Sequence, residues 1–174
     1  MNDSGKNDWS NIRAKAAGPP DRAERFAAVA ESLAEARMRN RPLEDGGIAC
    51  PLIVEGKRDR QLLRNLGFSG PIELVNRGWD HSRLCAWLYE TYGTRNQVDN
   101  GSAMFMLMDW DRTGGRLQRD ICRRLESLDI AVDSLLRKRL SRYITPETKT
   151  VEGMRGFIPD LKQMMQKYDP LEEE

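Results

Sequence analysis

Short apolar runs alternate along the chain with stretches in which apolar residues return every three or four positions. Leu52–Val54, Pro71–Val75 and Ala103–Met108 have the first character. Runs this short, bounded by Gly, Pro and polar residues, read as strands buried on both faces. Pro51 lacks an N–H and fits only the start of the first strand. The second character predicts helices. Over residues 21–40, Phe26, Val29, Ala30 and Leu33 share one face, after a Gly18-Pro19-Pro20 start signal. Leu62, Leu63 and Leu66 mark a short helix closed by Gly67. A helix over about 80–92 places Leu84, Trp87, Leu88 and Tyr92 together, and Gly93 stops it. Gly114-Gly115 opens another, with Leu117, Ile121, Leu125 and Leu128 inward.

Beyond residue 130 the pattern weakens. It predicts a short edge strand at 130–132, a basic helix over 134–142, and a last helix over 158–167 with Pro159 in its first turn. Strands that alternate with helices imply an α/β, Rossmann-like fold: a mostly parallel four-stranded sheet, helices on both faces, and an extra N-terminal helix. The expected organisation is a flexible arm (1–20), the N-terminal helix and linker (21–47), the α/β domain (48–145), and a C-terminal helix with an acidic tail (146–174).

Composition narrows the class. Hydrophobic residues make up 39% and charged residues 32%, the balance of a soluble globular chain. No apolar run approaches the ~18 residues that cross a bilayer, and Met1 to Asn11 is mostly polar and has no apolar core. The expectation is therefore no membrane association, no secretory signal and a cytoplasmic protein. Cys50, Cys85 and Cys122 are far apart and form no CxxC pair, which argues for buried thiols and against zinc. His81 is the only histidine, expected as a polar residue near a helix start, and no GxSxG segment accompanies it, so a Ser-His-Asp hydrolase is not expected.

Net charge is +1 and says nothing about partners, but its distribution does. Between Asp111 and Arg142, nine Lys/Arg stand against five Asp/Glu. A local basic zone is what a polyanion needs, and equally what a solvated helix face looks like.

Two of the expected strands run into acids. Leu52–Val54 ends in Glu55, and Ala103–Met108 ends in Asp109-Trp110-Asp111. Ligands of open parallel sheets bind beyond the carboxyl ends of strands. In extended chain, residues two apart project to the same side. Asp109 and Asp111 would then repel each other unless a cation lay between them, and Mg²⁺ is the hard, oxygen-liganded candidate. Gly56, Gly114 and Gly115 follow the acids and would let backbone approach an anion. Taken singly, Asp59, Asp109 and Asp111 could each be ordinary helix caps; it is the combination that points to a site.

The segments IVEGKRD (Ile53 to Asp59), NRGW (Asn76 to Trp79) and MDWDRTGGRL (Met108 to Leu117) together resemble the Toprim domain. That domain is shared by topoisomerases, bacterial-type primases and several nucleases. The resemblance covers about residues 48–135 and is nearest to stand-alone archaeal Toprim proteins and the ribosomal-RNA maturation ribonuclease. It implies Glu55 as general base or acid, Asp109 and Asp111 as the metal-binding DxD pair, and Asp59 as an acid near the metal. Gly56, Gly78 and Gly115 match turn glycines, and Lys57 matches a lysine that could touch phosphate. Arg77, Arg112, Arg116 and Arg119 are further candidates for phosphate contact.

The chain lacks the tyrosine-bearing, zinc-ribbon and helix-hairpin-helix segments that accompany larger Toprim enzymes. The leading expectation is a Mg²⁺-dependent (alternatively Mn²⁺-dependent) phosphodiester enzyme, endonuclease-like, acting on RNA or DNA with water as nucleophile. The alternative is a non-catalytic, metal-dependent module that binds nucleic acid or a nucleotide beside a partner protein. A third reading has Phe26 to Leu33 docking on a larger machine, against the plainer expectation that this face packs on its own sheet.

Overall fold

The computed structural model describes residues 21–171. The proposed arm (1–20) and the last three residues of the acidic tail lie outside them. The elements, in chain order, are α1 (Arg22–Asn40), a 3-10 turn (Leu43–Asp45), β1 (Leu52–Val54), α2 (Lys57–Asn65), β2 (Ile72–Leu74), α3 (His81–Tyr92), β3 (Met104–Met106), α4 (Arg112–Ser127), β4 (Val132–Asp133), α5 (Leu135–Ile144), a 3-10 segment (Glu152–Phe157) and α6 (Ile158–Met165). The four strands form one parallel sheet in the order β2-β1-β3-β4. The fold is α/β with a four-stranded parallel sheet, as the alternating pattern implies.

Strand periodicity divides the core in two. Leu52, Val54, Phe105 and Leu107 point to one face, where α1, α2, α5 and α6 supply Leu33, Leu63, Leu140 and Leu161. Ile53, Met104, Met106 and Met108 point to the other, against Leu84 and Leu88 of α3 and Ile121 and Leu125 of α4. Both faces are thus covered, which is why these strands read as unbroken apolar runs rather than alternating ones.

Phe26, Val29 and Leu33 are fully or almost fully buried in the first of these layers. The apolar face of α1 therefore packs on its own sheet and is not available for docking. The segment after residue 146 likewise contributes Val151, Met154, Leu161 and Met165 to the same core, so neither end of the described chain is an appendage. Arg37 of α1 fixes the C-terminal turn from inside. Its Nε donates to Asp169 Oδ2 at 2.7 Å, Nη1 to the Leu66 carbonyl at 2.8 Å and Nη2 to the Asp169 carbonyl at 2.7 Å.

Some boundaries differ from expectation. The edge strand is Val132–Asp133 rather than 130–132, because Ile130 turns inward to the α3–α4 layer before pairing begins. Leu128 is not inward: it caps the C-terminus of α4 and is 39% exposed. The three cysteines are free and buried, as expected. His81 opens α3, where its Nδ1 lies 2.6 Å from Asp120 Oδ2 of α4. Among the described residues, no helix is long and apolar enough to cross a membrane.

Candidate metal and phosphate site

The chain leaves β1 for β2 on one side and returns to β3 on the other, so β1 and β3 are adjacent parallel strands joined through opposite edges. Such a reversal leaves a crevice beyond the strands' carboxyl ends. Glu55 stands one residue past β1 and Asp109 three residues past β3, both at that crevice. A cavity of about 500 Å³ opens there, with Glu55, Asp59, Asp109 and Glu152 among its walls, together with Lys57 and Arg58.

Each acid is held differently. Glu55 is half-buried, and its carboxylate makes no hydrogen bond or ion pair among the described residues. Burial, followed by the charges of Asp109 and Asp111, raises its pKa. Asp59 is buried, and its Oδ2 accepts the Gly56 N–H at 3.0 Å as part of the first turn of α2. Burial and the nearby charges of Asp109, Glu55 and Glu152 push it up to about 6 in spite of that bond. Asp109 Oδ1 accepts the Val151 N–H at 2.8 Å. Its pKa is nonetheless raised, first by burial and then by Asp111 and Glu152. Asp111 is the N-cap of α4, accepting the Gly114 N–H at 2.7 Å.

The cap reading and the site reading therefore hold together. The bonds to Asp109 and Asp111 use one named oxygen of each carboxylate, Oδ1 in both cases. Asp111 does not line the cavity wall, although its charge reaches Glu55.

Oxygen donors of this kind suit a hard divalent cation. Among the described residues, no three acidic, histidine or cysteine side chains are brought together closely enough to hold a metal ion by themselves. Mg²⁺ does not require such a cluster: it keeps several waters and is usually held by one or two carboxylates plus substrate phosphates. Glu55 and Asp109, both on the cavity wall, are the carboxylates placed for that mode. A cation between them would also relieve the part of Glu55's raised pKa that Asp109 and Asp111 add to the effect of burial.

The glycines separate into two kinds. A Cβ on Gly114 would stand 2.0 Å from the Asp109 carbonyl oxygen, so only glycine lets α4 start this close to the end of β3. Gly78 has φ +79°, the left-handed region. Gly56 is extended, and a Cβ there would meet nothing within 4 Å. Gly115 is inside the helix with only ordinary contacts around a Cβ, so its role as a turn glycine is not required by the backbone.

Lys57 reaches the cavity, but the four candidate arginines do not line it. Arg77, the candidate beside the turn glycine, has its guanidinium among protein groups. It donates to the Leu74 carbonyl at 2.7 Å and to Glu73 at 2.8 Å, and its guanidinium lies 5.1 and 4.8 Å from the rings of Trp79 and Trp87. Arg112, Arg116 and Arg119 are exposed on α4 with no ion pair among the described residues.

Four wall residues were not foreseen: Arg58, Asn76, Thr150 and Glu152. The last two belong to a strap that crosses the mouth of the crevice. The Trp110 indole N–H donates to the Thr148 carbonyl at 2.8 Å, and the Trp110 backbone N–H to the Lys149 carbonyl at 2.9 Å. These bonds and Val151 N–H to Asp109 tie the strap to the DxD loop.

No family model matches the chain. It is 35% identical over 106 residues to a UPF0292 protein of Thermococcus onnurineus, spanning 61% of this chain and 71% of the relative. A UPF0292 protein of Methanosarcina barkeri is 29% identical over 119 residues, 68% of this chain and 76% of its own. A solved structure of a protein from Aquifex aeolicus superposes with a TM-score of 0.50 at 18% identity, covering 77% of this chain and 98% of that one. At that identity the likeness speaks for the fold.

Proposed function

The chain belongs to the UPF0292 family, and from that premise we propose that it is a metal-dependent phosphodiester enzyme of the Toprim type, acting on nucleic acid. The observation that carries the reading is the position of Glu55. It is an acid without a partner among the described residues, beside two further acids at the reversal point of a parallel sheet, with its proton affinity raised by burial and then by their charge. Structural acids are ordinarily paired or solvated. An acid raised by its neighbours at a crevice is the pattern of a site.

Glu55, Asp109 and Asp111 would hold Mg²⁺, or Mn²⁺ in its place. When bound, the ion would supply charge neutralisation at the phosphate and acidify water. Glu55, whose carboxylate has no hydrogen-bond partner among the described residues, would take a proton from an attacking water. Lys57 is exposed at the cavity without a salt-bridge partner among the described residues and supplies a cation for a phosphate oxygen. Asp59 keeps the first turn of α2 in place beneath Lys57 through Gly56.

The test is cleavage of labelled single- and double-stranded RNA and DNA with Mg²⁺, Mn²⁺ or EDTA. We expect metal-dependent cutting that falls at least ~100-fold in Glu55→Gln and Asp109→Asn. Asn at 109 can still accept the Val151 N–H, so loss there reports the charge rather than the strap. Metal-dependent binding without cutting would replace the enzyme with the alternative, a binding module that serves a partner protein.

A further inference from the structure

A second cavity, of about 470 Å³, continues from the first along the outer side of α2 and under the 3-10 segment. The two share Lys57, Arg58 and Glu152 as a common wall. Their charge is opposite in sign. The first is lined by four carboxylates and two cations. The second has three cations, Lys57, Arg58 and Arg155, against Glu152 alone. Arg58 Nη1 lies 3.5 Å from Glu152 on the boundary between them. Arg155 and Lys57 are exposed and make no hydrogen bond or ion pair among the described residues.

The chemistry of the second cavity is not that of a bare phosphate patch. Leu62, 3% exposed, and the half-buried Ile158 give it an apolar floor. Gln61 and Asn65, one helical turn apart, stand at its side, with Gln61 Nε2 donating to Asn65 Oδ1 at 3.0 Å. That bond leaves one amide donor group and one amide acceptor facing outward. Flipping both amides exchanges which residue offers which and leaves the pair intact. Cations, an apolar surface and an adjacent donor–acceptor pair correspond to the phosphate, face and edge of a nucleotide. In a duplex, the base face is stacked and its pairing edge is taken. The volume is in the class that encloses a ligand of this size.

We propose that this groove binds an unpaired nucleotide of the strand next to the scissile phosphate, so that the substrate is nucleic acid with a single-stranded segment at the site. The proposal rests on the phosphodiester reading above for its register, while the groove's chemistry is its own. The strand's phosphates run past Arg155 and Arg58, its base lies over Leu62 and Ile158, and the Gln61–Asn65 pair meets the base edge.

The experiment is fluorescence anisotropy of labelled oligonucleotides at fixed salt in EDTA, with the same sequence offered single-stranded and as a blunt duplex. The proteins are the wild type, Arg155→Ala and Gln61→Ala/Asn65→Ala, each checked for folding by circular dichroism. All three substituted groove residues are exposed, so the variants keep the core. The wild type binds the single strand at least tenfold more tightly than the duplex. Arg155→Ala weakens the single strand at least fivefold, and the double amide variant narrows the preference for it. Equal affinity for the two forms, or groove variants indistinguishable from wild type, overturns the proposal. A wild type that never cuts while groove variants lose binding would sink the enzyme reading and leave the groove standing.

Discussion

Two clusters of charge lie at opposite ends of this molecule's chemistry. Around Asp169, two arginines converge on one carboxylate: Arg37 Nε at 2.7 Å and Arg41 Nη2 at 2.6 Å both reach its Oδ2, and the pair with Arg37 is almost fully buried. Each charge there meets its opposite, and the remaining guanidinium N–H groups of Arg37 end on carbonyls. At the crevice the arrangement is reversed. Glu55, Asp59, Asp109 and Glu152 share one cavity, and three of these acids are pushed upward in pKa by burial and by one another. Folding completes the first cluster and opposes the second. Acids that the fold would hold more easily as neutral groups need a reason to be there, and the cation and anionic substrate of the proposed function would supply one.

The largest effect is expected where charges are satisfied. Asp169→Ala removes the acceptor of two arginines and leaves the buried Arg37 without its anion. Breaking a buried pair from one side costs about 3–5 kcal/mol. Urea unfolding should show that loss with an unchanged denaturant slope. A loss below ~1 kcal/mol would mean that the carbonyl bonds of Arg37 suffice and that the cluster is not the clamp described here.

The opposite sign is expected at the crevice. Asp59 has its pKa raised to about 6 in the folded protein, against 3.8 as the ordinary value. Below the lower value it is protonated in both states and costs nothing. As pH rises through the window, the unfolded chain releases its proton first, and the folded state loses stability until the folded group has also ionised. Asp59→Asn keeps an acceptor for the Gly56 N–H and removes that loss. In EDTA the variant should match the wild type near pH 3.5 and exceed it above pH 6, by up to about 3 kcal/mol for a two-unit shift. A gain that does not depend on pH would show that the acids are not in conflict, and the contrast between the clusters would fail.

How much of this was legible beforehand depends on the range of the interactions. Strands β1 and β3 and the acids that follow them are local patterns. The burial of each strand on both faces erases alternation and leaves an apolar run that ends abruptly in charge. The cap at Asp111 and the glycine at 114 are also local, separated by one helical turn. Glu152 was not legible. It comes from a polar stretch without period, and its place at the cavity depends on bonds with Trp110 and Asp109, some forty residues earlier. The same holds for Arg37 and Asp169, 132 positions apart. The surroundings of Arg77 were illegible for a related reason: Trp79 and Trp87, drawn from a turn and a helix, both lie against its guanidinium.

The smallest effects on stability sharpen the comparison most directly, because they separate space occupied by the protein from space left for something else. Gly114 and Gly56 both follow site acids. Alanine at 114 would meet the Asp109 carbonyl at 2.0 Å, and the forced shift should cost about 1–3 kcal/mol, the range for overpacking. Alanine at 56 meets open space on an extended backbone, so its effect should stay within about 1 kcal/mol and can be stabilising through the unfolded chain. If the open space beside Gly56 belongs to substrate, Gly56→Ala will raise KM for the oligonucleotide several-fold while its melting temperature holds. Gly114→Ala will show the reverse order, a lowered melting temperature first. A Gly56→Ala variant with unchanged KM would place the strand elsewhere on the crevice and leave the open backbone there as a feature of the α2 turn alone.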